Sequence, residues 1–132
     1  MSIVIPAYNS GWSIAATIAS AIGQTWPNTE IIVVDDGSTD DTFAIAQQFE
    51  SDRVRVVRQK NQGAAAARNM AYSLATGDYI QYLDADDLLC PEKIALQLSA
   101  VNAAQSCDVL LSAAWGRFLH RPHRAMPTRK NP

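Results

Sequence analysis

The stretch Glu30-Ile-Ile-Val-Val-Asp-Asp-Gly-Ser38 decides the fold class. Residues 31–34 are four consecutive β-branched apolar residues, so a strand here would be apolar on both of its faces. That pattern is typical of a parallel strand in a sheet that helices cover on both sides. Asp35-Asp36-Gly37-Ser38 follows as a polar turn. We therefore predict a buried strand over 30–34 with a polar cluster at its carboxyl end.

Apolar runs alternate with amphipathic segments along the rest of the chain. The pattern predicts further strands over 2–5, ended by Pro6, and over 54–58, 79–83 and 109–112. Helices are predicted over 12–24, 41–50 and 63–75, where Gly77 supplies the stop, and from Pro91 onward. Helical periodicity turns these residues inward: Ile14, Ile18, Ala21, Ile22, Phe43, Ala46, Phe49, Ala67, Met70, Ala71, Leu74, Ile94, Leu98 and Val101. The alternation predicts an α/β fold, a mainly parallel sheet with helices on both faces.

Length and composition bound the class of protein. The 132 residues suffice for about one domain, and 48% hydrophobic with 18% charged residues excludes a disordered or fibrous chain. A formal net charge of −2 does not indicate a nucleic-acid partner. The stretch 117–132 has five basic residues, three prolines and no acidic residue, and we predict a loop or tail there.

Cysteine content and hydropathy indicate the cellular compartment in which the chain is expected. Cys90 and Cys107 form no disulfide framework and no metal-binding spacing, so we predict two free thiols in a reducing cytosol. The N-terminus lacks the features of a signal peptide, and no apolar run approaches the roughly 20 residues that span a bilayer. The sequence therefore predicts a soluble, cytoplasmic chain without a transmembrane segment.

Three polar clusters follow predicted strands: Pro6-Ala7-Tyr8-Asn9, Asp35-Asp36-Gly37-Ser38 and Asp84-Ala85-Asp86-Asp87. Ligands bind beyond the carboxyl ends of the strands in open parallel sheets. The carboxylates would repel one another without a cation, and Mg²⁺ or Mn²⁺ prefers carboxylate oxygens together with substrate phosphates. Turn formation alone would explain either acidic cluster. Two such clusters at equivalent strand ends favour a metal and diphosphate site.

Four motifs in order resemble the family 2 inverting glycosyltransferases, which have the GT-A fold. They are Ile-Pro-Ala-Tyr-Asn at 5–9, Val-Val-Asp-Asp-Gly-Ser-Thr-Asp at 33–40, Asn-Gln-Gly-Ala-Ala-Ala-Ala-Arg-Asn at 61–69 and Leu-Asp-Ala-Asp-Asp at 83–87. The resemblance covers roughly residues 2–118. It implies a Rossmann-like GT-A sheet that is incomplete at its C-terminal end, with the nucleotide-sugar-binding part in 1–116.

The resemblance implies roles for the residues after the first two strands. Tyr8 matches the aromatic residue that stacks on the nucleobase, usually uracil. Asp36 matches the carboxylate that accepts a hydrogen bond from the base edge, with Asp35 as a less certain neighbour. Pro6 and Asn9 match positions that shape the loop presenting Tyr8.

The resemblance also implies roles for residues of the later motifs. Arg68 matches an arginine near the base and phosphates of the nucleotide. Asp84 and Asp86 match the two carboxylates of the family's DxD motif. Asp84 then faces the ribose or the metal, and Asp86 coordinates the Mg²⁺ or Mn²⁺ that bridges the diphosphate. Asp87 is interpreted as a cap for the following turn and helix.

The implied reaction transfers a sugar from a nucleotide-diphosphate sugar, expected to be a UDP-sugar, to a hydroxyl of a saccharide or lipid-linked acceptor with inversion. Inversion needs a general base for that hydroxyl. The last acidic residue, Asp108, lies just before the predicted strand at 109–112, which is the wrong place, so no general base is identified in 1–132. An inactive, nucleotide-binding fragment therefore remains an alternative. The chain is interpreted as cut short, with an uncovered sheet edge that favours self-association. A longer protein would act in the cytoplasm or at the cytoplasmic face of the membrane.

Other classes fit the residues less well. A receiver domain would carry its aspartates after the first strand, and a dinucleotide-binding domain would carry GxGxxG there, where only Gly11 stands. A phosphohydrolase of the haloacid dehalogenase type would have its DxDx[TV] motif on the first strand, whereas Asp84 and Asp86 follow the fourth. Trp12 and Trp26 are predicted to be packing residues.

Overall fold

The structure is a computed structural model that describes residues 1–104, 116–117 and 126–127. Its strands are β1 (Ser2–Ala7), β2 (Glu30–Asp35), β3 (Val54–Arg58), β4 (Ile80–Tyr82), β5 (Gly116–Arg117) and β6 (Met126–Pro127). Its helices are α1 (Ile14–Ile22), α2 (Thr42–Gln47), α3 (Ala64–Leu74) and α4 (Lys93–Ala104). The first eight elements alternate as predicted. The predicted strand at 109–112 lies outside the described residues.

Strands β1 to β4 form one parallel sheet in the order β3-β2-β1-β4. Val4 of β1 lies opposite Ile32 of β2 on one side and opposite Tyr82 of β4 on the other. Residues 31–34 of β2 are all at most 1% exposed, so the predicted strand with two apolar faces is confirmed. The parallel α/β sheet predicted from the sequence is therefore present.

Helices cover both faces of the sheet. On one face Ala67 and Ala71 of α3 pack on Val4, Ile32 and Val34. These small side chains let the helix lie close to the strands, which a larger residue would prevent. Helices α1 and α2 contact β2, and the right-handed crossover rule places them on the opposite face from α3. Strands β2 and β3 are thus added on one side of β1, and β4 is added on its other side. The order of the strands therefore reverses at β1.

Strand β1 runs two residues further than predicted, through Pro6 to Ala7. Pro6 lies opposite Val34 of β2, whereas β4 pairs with β1 only as far as Val4. The missing N–H of Pro6 therefore removes no ladder hydrogen bond on the β4 side. The prediction that Pro6 ends the strand was wrong for this reason.

Two helix residues predicted to face inward are exposed, Ile22 by 39% and Met70 by 37%. The buried side of α1 is centred between Ile14, Thr17 and Ala21, and Ile22 lies about a quarter turn away from it. Met70 is displaced in the same way from the buried alanines of α3. The inward prediction is confirmed by burial for Ile94, Leu98 and Val101 of α4.

The chain divides into two units, Met1–Leu96 and Gln97–Pro132. The first contains the parallel sheet. In the second, β5 and β6 form a two-residue antiparallel ladder, with Gly116 opposite Pro127. Arg117, Met126 and Pro127 thus lie in paired strands within the stretch 117–132, where we expected a loop or tail. The proposed boundary at 116 stays a prediction. Among the described residues no helix has the length and apolar character needed to cross a membrane.

Candidate functional site

A cleft of about 530 Å³ opens at the carboxyl ends of β1, β2 and β4. It lies beside the point where the strand order reverses, which is where open α/β sheets bind ligands. Six of the seven residues predicted for the site line it: Pro6, Tyr8, Asn9, Asp36, Arg68 and Asp84. Asp86, predicted as a metal ligand, lines it as well. The topology thus gathers residues from four separate segments into one cleft.

The loop after β1 presents Tyr8, which is half exposed and lines the cleft. Asn9 has a left-handed backbone (φ 49°), a conformation that asparagine tolerates better than most residues. Its side-chain Oδ1 accepts hydrogen bonds from the N–H of Thr39 (2.9 Å) and its hydroxyl (3.2 Å). Its own N–H donates to Oγ of Ser38 (2.9 Å). Asn9 therefore fixes the loop carrying Tyr8 to the loop after β2.

Asp36 is almost completely buried at the base of the cleft. Its Oδ1 accepts hydrogen bonds from Nε2 of Gln59 (2.7 Å) and the N–H of Gln62 (2.9 Å), and its Oδ2 accepts one from the N–H of Gly63 (2.8 Å). Burial alone would raise the pKa of Asp36, but these hydrogen bonds outweigh it and hold the pKa below 3.8. A carboxylate accepts about four hydrogen bonds, so one acceptor position on Oδ2 remains for a ligand.

Asp35 is the predicted residue that the structure does not bring to the cleft. It is fully buried, and its Oδ2 lies 3.2 Å from Nε of Arg58, its neighbour across the β2–β3 ladder. Oδ2 also lies within 3.3 Å of the N–H of Ser38, while Oδ1 has no hydrogen-bond partner among the described residues. Adjacent side chains at a strand end point to opposite sides, so Asp35 turns away when Asp36 faces the cleft.

Arg58 stabilises the turn that separates these two aspartates from α2. Its Nη2 donates to the carbonyl of Ser38 (2.7 Å), and its guanidinium lies 5.1 Å from the centre of the Phe43 ring. Together with the ion pair to Asp35, these contacts hold Asp35-Asp36-Gly37-Ser38 in one shape. Asp35 thus acts on the cleft indirectly, through the loop that contains Asp36.

Arg68 and Asp84 meet across the cleft, with 2.8 Å between Nη2 and Oδ1. Both side chains are about half exposed, so the pair is accessible to a charged ligand. Asp86 is exposed beside them. Burial raises the pKa of the neighbouring Asp87 carboxyl, and the charges of Asp86 and Asp84 raise it further. The segment therefore concentrates negative charge that a cation would neutralise.

A divalent cation would have two carboxylates available, those of Asp84 and Asp86. No group of three or more His, Cys, Asp or Glu side chains suited to a metal occurs in the described part of the chain. Mg²⁺ and related ions are commonly held by one or two carboxylates and the substrate's own phosphates. The two exposed carboxylates therefore fit an ion that arrives with a diphosphate.

Two sequence interpretations are corrected at the rim of the cleft. Trp12 was predicted to pack, yet it is 80% exposed and lines the cleft. It precedes α1, on the loop after β1, and its place four residues after Tyr8 is the signal that would have found it. Asp87 was interpreted as a helix cap, but α4 begins only at Lys93.

The fold and the cleft define a class of protein, an α/β domain with a polar cleft at the reversal of its strand order. A family profile described as glycosyl transferase family 2 matches residues 2–131. The chain belongs to this family. The match includes most of the basic stretch 117–132, so it extends further than the resemblance over roughly 2–118 that we expected.

Relatives and solved structures agree with this family. The chain is 44% identical over 99 residues to the Escherichia coli UDP-Glc:alpha-D-GlcNAc-diphosphoundecaprenol beta-1,3-glucosyltransferase WfaP, covering 74% of this chain and 39% of WfaP. S. aureus TarS 1–349 in complex with UDP-GlcNAc superimposes with a TM-score of 0.74 at 28% identity, over 79% of this chain and 31% of TarS.

A mannosyltransferase from Pyrobaculum calidifontis, PcManGT, in complex with GDP-Man and Mn²⁺, gives a TM-score of 0.69 at 27% identity, over 76% of this chain and 31% of that protein. The chain therefore spans well under half the length of each of these three proteins. The parallel sheet with its helices is the GT-A fold that the sequence motifs implied.

Proposed function

We propose that this chain binds the donor of a glycosyl transfer, a nucleotide-diphosphate sugar, and that the nucleotide is UDP. The observation that carries the proposal is the convergence of Tyr8, Asp36, Arg68, Asp84 and Asp86 on one cleft. The UDP-GlcNAc bound by TarS and the UDP-Glc in the name of WfaP support a uridine nucleotide. We place the nucleotide-sugar-binding part in residues 1–116.

The base and the diphosphate would occupy different sides of the cleft. An exposed aromatic ring offers a stacking surface to any nucleobase, and Tyr8 supplies it. The remaining acceptor position on Asp36 selects a base that presents an N–H at its edge. Because the lowered pKa keeps Asp36 ionised, it accepts this hydrogen bond as a charged group, which strengthens it.

Arg68 and the two carboxylates of the Asp84–Asp86 segment would bind the charged part of the donor. Arg68 is half exposed and able to exchange its ion pair with Asp84 for a phosphate. Asp84 and Asp86 would hold Mg²⁺ or Mn²⁺, and such an ion would supply positive charge to stabilise a diphosphate leaving group. The Mn²⁺ in the PcManGT complex supports this assignment.

Transfer to an acceptor, a saccharide or a lipid-linked hydroxyl, completes the proposed reaction with inversion at the sugar carbon. The base that deprotonates this hydroxyl is not assigned. Each described carboxylate that lines the cleft already has a role with the nucleotide or the cation, and Asp108 lies outside the described residues. This observation favours a second candidate, in which the 132 residues bind the nucleotide without catalysing transfer.

Two measurements on the 132-residue protein separate these candidates. Isothermal titration calorimetry with UDP should show binding that strengthens when Mn²⁺ is present. A UDP-release assay with UDP-glucose and UDP-GlcNAc then detects hydrolysis or transfer. Binding without turnover supports the non-catalytic candidate, and turnover supports the full reaction. Absence of UDP binding in both conditions contradicts the proposed function.

The family match argues against the phosphohydrolase alternative. Asp84 and Asp86 follow β4, not the first strand where that class carries its motif.

A further inference from the structure

Four polar residues lie along one side of α1 and its two flanking turns: Ser13, Thr17, Ser20 and Gln24. Their spacing of four, three and four residues keeps them on one helical face. We call this set the α1 stripe. Three of the four are at most 8% exposed, so they are polar groups within the interior of the first unit. Buried polar groups need hydrogen-bond partners, and the identity of those partners is informative.

Apart from three local bonds to main-chain carbonyls of residues 10, 17 and 20, the partners belong to one distant segment. The hydroxyls of Ser13 and Thr17 both donate to the carbonyl oxygen of Ala85, at 2.8 and 2.9 Å. Oγ of Ser20 accepts from the N–H of Leu89 at 3.2 Å. These residues are about 70 positions apart in sequence. The stripe therefore connects the first helix to the acidic segment after β4.

Gln24 extends the same pattern to the start of α4. Its Nε2 donates to the carbonyl of Cys90 (2.9 Å), and its Oε1 accepts from the N–H of Ile94 (3.2 Å). The four stripe side chains make eight hydrogen bonds with described residues. Three stay within α1 and its flanking turns, and the other five all go to the main chain between residues 85 and 94. These main-chain contacts fix the path of the segment without involving its side chains.

Ala85 is the residue between Asp84 and Asp86, and it is 7% exposed. Its carbonyl oxygen has two lone pairs, and the hydroxyls of Ser13 and Thr17 use both. With this peptide held from the interior, the flanking carboxylates point out to the cleft, where both are exposed. No hydrogen bond from a described residue reaches the side chain of Asp86, so its position depends on its main chain.

We propose that the α1 stripe positions the acidic segment, and that Ser13 and Thr17 set the separation of the Asp84 and Asp86 carboxylates for a cation bound with a diphosphate. This inference rests on the proposed function. Residues that orient the groups contacting a metal typically alter metal affinity by about 10- to 100-fold when they are removed. Ser13 and Thr17 are positioning residues, since neither lines the cleft.

The experiment compares the 132-residue protein with the double variant Ser13→Ala/Thr17→Val and with Thr17→Ser, which keeps the hydroxyl. Calorimetry gives the affinity for UDP with Mn²⁺ and the affinity for uridine without metal. We expect the double variant to lose about 10- to 100-fold in Mn²⁺-dependent UDP affinity and to bind uridine as the wild type does. Thr17→Ser should stay near wild type. The matched control is Ser73→Ala, because the Ser73 hydroxyl is exposed and bonds only within α3.

Amide hydrogen exchange over residues 84–90 supplies a readout that needs no metal. Faster exchange in the double variant, restored in Thr17→Ser, supports the positioning role. If the double variant is too unstable to study, Ser13→Ala keeps the Thr17 bond and should show a smaller change in the same direction. If the double variant has the same amide exchange rates and the same Mn²⁺-dependent UDP affinity as the wild type, the positioning role is overturned while the proposed function stands. Wild-type protein that binds UDP equally with and without Mn²⁺ would instead overturn the metal-dependent function.

Discussion

At the scale of single residues, the exposed carboxylate of Asp86 carries the metal assignment. Asp86→Ala removes a direct oxygen ligand, so UDP binding in Mn²⁺ should fall to its level without the ion. Uridine should bind as before, because the base contacts assigned to Tyr8 and Asp36 are elsewhere in the cleft. Calorimetry measures both. Asp78→Ala, which removes an exposed carboxylate before β4, is the matched control. A variant at Asp86 that keeps the Mn²⁺ dependence contradicts the assignment.

Substitutions at Tyr8 test the proposed nucleobase-binding site. Tyr8→Ala should weaken UDP binding by about 1–3 kcal/mol, the usual contribution of an aromatic ring stacked on a base. Tyr8→Phe should cost much less, since it keeps the stacking surface. Equal losses in the two variants would show that the hydroxyl is the important group.

Trp12 tests the rim of the cleft. It is 80% exposed, so Trp12→Ala should change the free energy of unfolding by no more than about 0.5 kcal/mol. As an apolar surface in the cleft, it should nevertheless contribute to binding of UDP-glucose. Tyr72→Ala removes an aromatic ring that is 59% exposed and absent from the cleft lining, so it should leave binding unchanged. Equal effects of the two variants on calorimetric affinity would contradict a role for Trp12.

The contrast between Asp35 and Asp36 shows what the sequence could and could not predict about the site. They are consecutive at the end of β2, and the motif assigns Asp36 to the nucleotide with Asp35 as its less certain neighbour. Because side chains alternate along a strand, the two aspartates point to opposite faces of the sheet. The pairing of β2 with β3 places Arg58 opposite Asp35. Which aspartate faces the cleft depends on the topology of the sheet. Trp12 was missed although its place four residues after Tyr8 puts it on the same loop after β1, which brings it to the rim.

At the scale of elements, Glu30 joins the beginnings of β1 and β2 to the connection before β4. Its Oε1 accepts hydrogen bonds from the hydroxyls of Ser2 (2.6 Å) and Thr76 (2.8 Å) and from the N–H groups of Thr76 (2.7 Å) and Gly77 (3.1 Å). Burial acts to raise the pKa of Glu30, but the hydrogen bonds outweigh it and lower the pKa below 4.5. The ionised form is therefore the one that the fold stabilises.

The lowered pKa predicts a pH dependence of stability. A carboxyl with a depressed folded pKa stabilises fully above its unfolded value, near 4.5, and loses that contribution as the pH falls through the folded value. The melting temperature of the wild type should therefore drop more steeply below pH 4.5 than that of Glu30→Gln. At neutral pH the variant should be the less stable protein. Glu50→Gln, at an exposed position after α2, should keep the wild-type slope. Parallel slopes for wild type and Glu30→Gln would contradict the role of Glu30.

The four helices and first four strands were predictable because each has either a hydrophobic period or, as in β2, a short continuous apolar run. The exact ends of the helices and strands, and the close contacts between distant segments, were less predictable. Gly77 was interpreted as a helix stop, but α3 already ends at Leu74. A Cβ at Gly77 would lie 2.6 Å from the backbone nitrogen of Met1, so the glycine is needed where two distant segments approach each other. Periodicity within one segment carries no information about such an approach.

At the scale of the whole molecule, the two edges of the parallel sheet differ. The β3 edge carries Arg55 and Arg58, and charged side chains discourage edge pairing. Strand β4 is only three residues long and pairs with β1 over Ser2–Val4. No described strand pairs with its other edge, where Tyr82 is 49% exposed. Of the two edges of the described sheet, the β4 edge is the one at which pairing with a second copy is to be tested.

We expect the 132-residue protein to self-associate in a concentration-dependent manner through the β4 edge. Sedimentation velocity over a range of protein concentrations should show a rising weight-average mass. Tyr82→Lys should shift the protein toward monomer, because a charge on a sheet edge opposes pairing with a second copy. Tyr72→Lys places the same charge on α3, where the tyrosine is also exposed, and should leave association unchanged. A wild-type protein that stays monomeric at every concentration, or equal effects of the two lysines, would show that this edge does not pair between copies.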